Sequence, residues 1–340
     1  MHEILFRQRV RLLLLTFVLL TVVLLAVLAG RYPRAGLISP WAAARDPLAM
    51  SLILSLRLPR VIAAVLLGAG LAAAGTVFQM LFANPLVEPG FLGVSQGAAF
   101  GASLSIVAFS SSLWAIQLSA GICALTGLAL SYLIARHFKF GGWVLRLILA
   151  GIAVSALFAA GVGLIKYTAD PLSELPDITF WMLGGLWGVD WSQVTSILPI
   201  SVAGLIILFG YRWRLNLLSM DDRTAFSLGL APFRERIFLL LTATVVTSAV
   251  ISISGIVGWV GLIVPHISRR VLSSDGRTAL PGSMVIGAIY IVVCDTAART
   301  LLEGEIPLGV LTSLIGAGLF IVLLTRRQIR KGKYHAENYT

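Results

Sequence analysis

Residues 57–97 read RLPRVIAAVLLGAGLAAAGTVFQMLFANPLVEPGFLGVSQG. An apolar run leaves a collar formed by Arg57 and Arg60 and halts at Asn84-Pro85-Leu86. A second apolar run departs through Gly93, Gly97 and Gly101. Pro89 lacks an N–H and restrains Glu88, so 84–89 cannot be helical throughout. A compact cytoplasmic turn is expected there, with Asn84 and Glu88 satisfying freed backbone groups. Two apolar runs joined in this way outline a re-entering membrane helix pair.

The composition agrees. The chain has 340 residues, of which 58% are hydrophobic and 12% charged, with a mean hydropathy of +0.94. Each membrane crossing takes roughly 20 apolar residues, and the length allows about ten crossings with their loops. The expectation is an all-α polytopic membrane protein with about ten transmembrane helices, its single transmembrane domain spanning 1–340. No length remains for a soluble catalytic domain. Apolar runs fall near 12–30, 59–82, 92–110, 113–135, 145–168, 192–211, 236–254, 256–266, 282–302 and 307–325. The eighth is too short to cross unaided and is expected to begin earlier, within Ser254-Gly255-Ile256-Val257-Gly258. Residues 1–30 resemble a signal peptide, but Leu12–Ala29 exceeds the usual apolar core and reads as an uncleaved first helix.

The net charge of +11 is spread as short collars between apolar runs, which argues for topology signals rather than a nucleic-acid surface. Segments 1–11, 136–146, 212–236, 266–281 and 326–340 carry 19 of the 26 Lys and Arg residues. Positive-inside therefore places both termini in the cytoplasm. Asp170, Glu174, Asp177, Asp190, Glu303 and Glu305 all fall on the other side. Cys123 and Cys294 lie within apolar runs and imply no disulfide framework.

Gly93, Gly97 and Gly101 recur every four residues and share one helix face, where missing side chains permit tight helix packing. In the stretch 258–270 a span is expected to end at Pro265. A short amphipathic segment would then carry Arg269 and Arg270 at the cytoplasmic surface, either as a protrusion for another protein's cleft or as a snorkelling collar. Pro265-His266 faintly echoes the proline turn at Asn84-Pro85-Leu86, in the manner of repeated halves. No His, Cys or carboxylate lies near His266 at metal spacing, so an interface or structural role is expected and no metal or cofactor. Asp295 and Arg299 stand one helical turn apart and can pair. Lys166, at the end of the fifth span, either snorkels or supplies charge at a pathway mouth. There is no GxxxxGK[ST] motif to cradle ATP, and Asp295 is the lone carboxylate within the spans. A transport pathway powered from outside the chain fits this pattern better than an intramembrane enzyme or an ion-coupled secondary carrier.

The motifs RLPR (57–60), GxxxQxLFxNPLxEPxxLGVSxGA (75–98), RLILAG (146–151), GxVGLIVPHISR (258–269), LPGS (280–283), DxxAR (295–299) and ExPLGVLTSLIGAGLF (305–320) occur in this order. The chain thereby resembles the permease subunits of the iron-siderophore, haem and vitamin B12 family of ABC importers, from about Arg57 to Arg326. The resemblance implies ten helices and a homodimer in a bacterial inner membrane. It also implies two cytoplasmic ATP-binding subunits, and a periplasmic binding protein that delivers a metal chelate for alternating-access uptake. An oxyanion such as molybdate is the alternative substrate. By the same resemblance, Pro265, His266, Ile267, Ser268, Arg269 and Arg270 start or flank the ATPase-coupling segment, about 267–280. Arg57, Arg60 and Arg299 match the binding-protein docking positions. Val144 and Leu145 match the cytoplasmic gate, and being apolar they imply closure by dewetting.

Overall fold

A computed structural model describes residues 2–32, 36–109, 112–139, 141–302 and 304–337. Arg34 and Glu303, on the outer side of the charge pattern, lie outside the described residues. The chain folds into helices α1 (His2–Leu28), α2 (Pro40–Arg45), α3 (Pro47–Leu52), α4 (Leu58–Leu81), α5 (Val94–Ala108), α6 (Leu113–His137), α7 (Trp143–Thr168) and α8 (Glu174–Leu183). Then follow α9 (Trp191–Gly210), α10 (Arg214–Leu218), α11 (Asp222–Ser227), α12 (Pro232–Ser254), α13 (Val260–Val271), α14 (Gly276–Thr300) and α15 (Leu308–Glu337). A two-residue antiparallel pairing, Ala29–Gly30 with Gly36–Leu37, closes the loop after α1.

Among the described residues, seven helical stretches are long and apolar enough to cross a membrane. They are 6–28, 47–81, 113–137, 143–168, 191–210, 232–254 and 276–300. The other three expected spans correspond to helices too short by that measure: α5, α13 and the apolar 308–323 part of α15. At 1.5 Å per residue, the 12 residues of α13 cover about 18 Å of a roughly 30 Å hydrocarbon core. The expected earlier start of this span is wrong. Gly255 turns the chain out of α12 at φ +65°, and 255–258 has no regular secondary structure. A β-carbon on Gly255 would sit 2.1 Å from the Trp181 carbonyl. The outer connection 170–190 contains α8.

The central element is the continuous helix 47–81, which runs through a π-helical turn at Ile53–Arg57 and is surrounded by α14, α12, α13 and α9. Its small residues explain this position. A β-carbon on Gly68 would lie 2.1 Å from the Gly287 carbonyl, so α4 and α14 touch backbone to backbone.

The segment after α4 is not simply a cytoplasmic turn. Asn84 Oδ1 does accept the Leu86 N–H at 2.9 Å, closing the chain reversal. Beyond it, 87–93 climbs back beside other helices. A β-carbon on Gly127 of α6 would lie 2.4 Å from the Gly93 carbonyl, and Gly127 is about ten residues, or about 15 Å, from the end of α6. Helix α5 therefore starts roughly mid-membrane. Irregular backbone at that depth is tolerated because it is enclosed by protein.

Candidate functional site

Two interrupted segments, 87–93 and 255–259, meet inside the helix bundle. The Glu88 carboxylate lies beside the backbone N–H of Trp259 at the start of α13, negative charge at a helix N-terminus. Trp259 itself adopts φ +72°, a left-handed conformation that costs about 1–3 kcal/mol in a bulky residue. Its ring is held against Gly316 and Phe320 of α15, the latter at 6.0 Å between ring centroids. Beside this junction lies a cavity of about 360 Å³ whose wall includes Glu88, Ser95, Gln96, Ser155 and Thr247. Among the described residues, Glu88 is the one ionisable residue lining it.

Pro265 lies within α13, not at the end of the span, so helix continues to Val271. A proline in a helix interior leaves the carbonyl four residues back without its donor. Here that carbonyl belongs to Gly261, and Gln79 of α4 supplies the missing donor: its side-chain amide donates to Gly261 O at 3.2 Å and to Leu262 O at 3.1 Å. The other end of the same amide accepts from Arg269. Gln79 is buried. The sequence carried a signal for this residue, a lone amide near the end of an apolar run, but its partner lies 182 positions away.

The expected coupling residues therefore divide. Ser268 is buried and donates to Ala279 O at 2.8 Å, which ties α13 to α14. Pro265 is buried, His266 and Ile267 are half-buried, and Arg269 turns inward to Gln79. Arg270 is exposed. No separate helix occupies 267–280: a four-residue turn, 272–275, joins α13 to α14. Asn216 of α10 fastens that turn, donating to Asp275 at 2.7 Å and accepting from Gly276 N–H at 2.7 Å. Helices α10 and α11 were not foreseen, because five- and six-residue helices leave no periodicity to read. Asp221 caps α11 by accepting the Thr224 N–H and hydroxyl, which hold its carboxyl below the ordinary aspartate range. Met220, Phe226 and Leu228 are exposed around it.

At the outer end, the three arginines are drawn into one network. Arg57 donates to Val27 O and Leu28 O at 3.4 and 3.3 Å. Arg60 forks onto Asp295 (2.9 Å) and Glu305 (2.9 Å). Arg299 donates to Ala29 O at 2.9 Å and stands 3.8 Å from Asp295, so the strong partner of Asp295 is Arg60 rather than its neighbour on the helix. The side chains of Asp295 and Arg299 are 1% and 8% exposed, and that of Arg60 13%. The network ties α1, α4 and α14 together.

Gly97 and Gly101 press α5 against α6: β-carbons there would lie 2.4 Å from Cys123 O and 2.3 Å from Ser119 O. Gly93 ends the preceding 3-10 turn at φ +81°. Val144 is half-buried and Leu145 exposed, in the first turn of α7. Lys166 is half-buried in the last turn of that helix. Among the described residues, no group of three or more His, Cys, Asp or Glu could hold a metal.

This arrangement is shared with known transport proteins. The model of the FecCD transport family matches residues 8–326. The chain belongs to the FecCD transport family. It is 40% identical to the molybdate import system permease protein MolB of Haemophilus influenzae, over 91% of this chain and 94% of that one. It is 37% identical to the hemin transport system permease protein HmuU of Yersinia pestis, over 94% and 98% of the two chains. A solved inward-facing ABC transporter, assigned to the metal-chelate type, superposes with a TM-score of 0.86 at 36% identity, covering 93% of this chain and 98% of its own. This FecCD protein is thus a membrane-spanning permease subunit of an ABC importer. It is not an enzyme, and ATP hydrolysis belongs to a separate subunit.

Proposed function

We propose that this permease carries a metal chelate (a ferric siderophore, haem or corrinoid) across a bacterial inner membrane by alternating access. The observation that carries the substrate reading is the cavity at the junction of the interrupted segments. Its ionisable lining is a carboxylate, Glu88, which opposes a small bare anion such as molybdate. The near-complete superposition on a metal-chelate-type transporter supports the same class. An oxyanion is the second reading, favoured by the 40% identity to a molybdate permease.

The whole chain, 1–340, acts as one transmembrane domain and pairs with a second copy. Exposed apolar side chains of α7, including Leu149, Ile152 and Leu157, suit such a lipid-excluding contact. Val144 and Leu145, at the cytoplasmic start of α7, form the gate, and Lys166 lies at the outer mouth. The ATPase subunit is proposed to contact Arg270, the 272–275 turn and the exposed apolar rim of α11. Pro265, His266, Ile267, Ser268 and Arg269 pass the motion inward through α13. A periplasmic binding protein docks on the outer face, which Arg57, Arg60 and Arg299 hold rigid.

The test is ATP-dependent uptake into proteoliposomes that contain the permease with its ATPase and binding protein. Radiolabelled ferric chelate, haem and corrinoid are compared with radiolabelled molybdate. Uptake of one of the chelates, abolished without ATP, is expected. Uptake of molybdate alone would overturn the chelate assignment, and uptake that survives loss of ATP would overturn the importer mechanism.

A further inference from the structure

At the cytoplasmic ends of α6, α7 and α12 lies a half-open cavity of about 480 Å³ that none of the proposed transport steps uses. Its wall combines Arg136, Arg146 and Arg236 with Trp143, Tyr132 and Phe233. Asp222 is the one acidic residue in that wall, and it is already paired with Arg236. Arg236 is buried and structural: it also donates to Leu218 O at 2.8 Å and Met220 O at 3.2 Å. Among the described residues, neither Arg136 nor Arg146 has a carboxylate partner. Arg146 uses one nitrogen to donate to Phe138 O at 2.8 Å, while its Nε is buried without a partner. Three guanidinium groups against one carboxylate leave a surplus of positive charge in a concave site.

The rest of the wall is what an amphiphile needs. Trp143 stacks on Phe82 at 5.4 Å, and the Arg236 guanidinium lies over the indole at 5.6 Å from the ring centroid. The indole is therefore fixed in the first turn of α7, at the depth where membrane proteins favour tryptophan. Phe233 is exposed at one edge, and α6 exposes Ile122, Leu125 and Leu133 above Arg136, a path for an acyl chain. The positive-inside distribution places this rim in the cytoplasmic leaflet, where anionic headgroups lie.

We propose that this cavity binds the phosphodiester headgroup of an anionic phospholipid. The guanidinium groups of Arg136 and Arg146 face the phosphate, and the acyl chains lie along the exposed side of α6. Basic pockets between helices on the cytoplasmic side are suited to such headgroups because guanidinium forks match phosphate oxygens. The site would hold the start of α7, and with it Val144 and Leu145, at a fixed depth in the membrane.

The permease–ATPase complex is reconstituted in phosphatidylcholine nanodiscs with and without phosphatidylglycerol, then released and weighed by native mass spectrometry. Wild-type permease is expected to retain phosphatidylglycerol. Arg136→Gln with Arg146→Gln should lower the retained fraction about 25-fold, and Arg136→Gln alone, at an exposed side chain, about fivefold. Arg277→Gln, another cytoplasmic arginine outside the cavity, should leave it unchanged. Equal retention in all variants, or an equal loss in Arg277→Gln, would overturn the proposal. Release of the lipid by inorganic phosphate alone would assign the site to a soluble anion and overturn it too. So would loss of ATPase association in Arg136→Gln with lipid retention intact, since the cavity would then be a protein contact.

Discussion

Replacing Gln79 with leucine isolates the most unusual contact of the bundle. The substitution keeps the volume while removing the donor to Gly261 O and Leu262 O and the acceptor for Arg269. Gly261 O has no helical donor because residue 265 is proline, so it becomes an unsatisfied buried acceptor, worth about 1–3 kcal/mol. Interhelical hydrogen bonds in membranes average nearer 0.6 kcal/mol, because alternative partners are found. Arg269, half-exposed near the cytoplasmic end of α13, can turn to water and adds little. The net expectation is a loss of about 1–3 kcal/mol, read as a lower midpoint in denaturant or thermal unfolding of the reconstituted permease. The decisive comparison repeats Gln79→Leu in a Pro265→Ala background. Alanine restores the N–H that Gly261 O lacks, so the cost of losing Gln79 should shrink by about 1 kcal/mol. An undiminished cost in that background would refute the claim that Gln79 substitutes for the missing proline donor.

Gly97→Ala and Gly101→Ala place β-carbons against the Cys123 and Ser119 carbonyls and should each cost about 1–3 kcal/mol, whereas Gly121→Ala, with nothing within 4 Å, should not destabilise. Unfolding midpoints in detergent check this. Asp295→Asn leaves Arg299 buried with no carboxylate beside it and Arg60 with Glu305 alone, and should cost about 3–5 kcal/mol. Glu305→Gln, at a 39% exposed carboxylate, should cost about 1 kcal/mol or less, and the same unfolding measurement separates the two. Arg270→Glu should lower binding-protein-stimulated ATPase activity at unchanged unfolding midpoint, because the side chain is exposed. Arg269→Glu should lower both activity and midpoint, and the reverse ranking would move the ATPase contact back to Arg269.

Membrane class, the location of most helices and the family were legible in the chain, because hydropathy runs and charge collars are local and the bilayer imposes them directly. The glycine spacing at 97 and 101 was also readable, since one helix face follows from a period of four, whereas Gly93, read onto the same face, lies outside α5 at φ +81°. Which short runs cross the membrane, and where α13 begins, was not. Pro265 looks like a helix end from its own neighbours, and the group that lets the helix continue, Gln79, comes from another element. Arg57 and Arg60 likewise read as a collar, and Arg299 as the partner of Asp295, until Arg60 takes Asp295 and Glu305 and the carbonyls ending α1 are brought beside Arg57 and Arg299. The sequence by itself determined that backbone polar groups must be satisfied within helices crossing lipid. Only the tertiary structure decided which distant side chains satisfy the groups that proline and the interrupted segments leave open, because those partners are chosen by packing across the bundle rather than by neighbours along the chain.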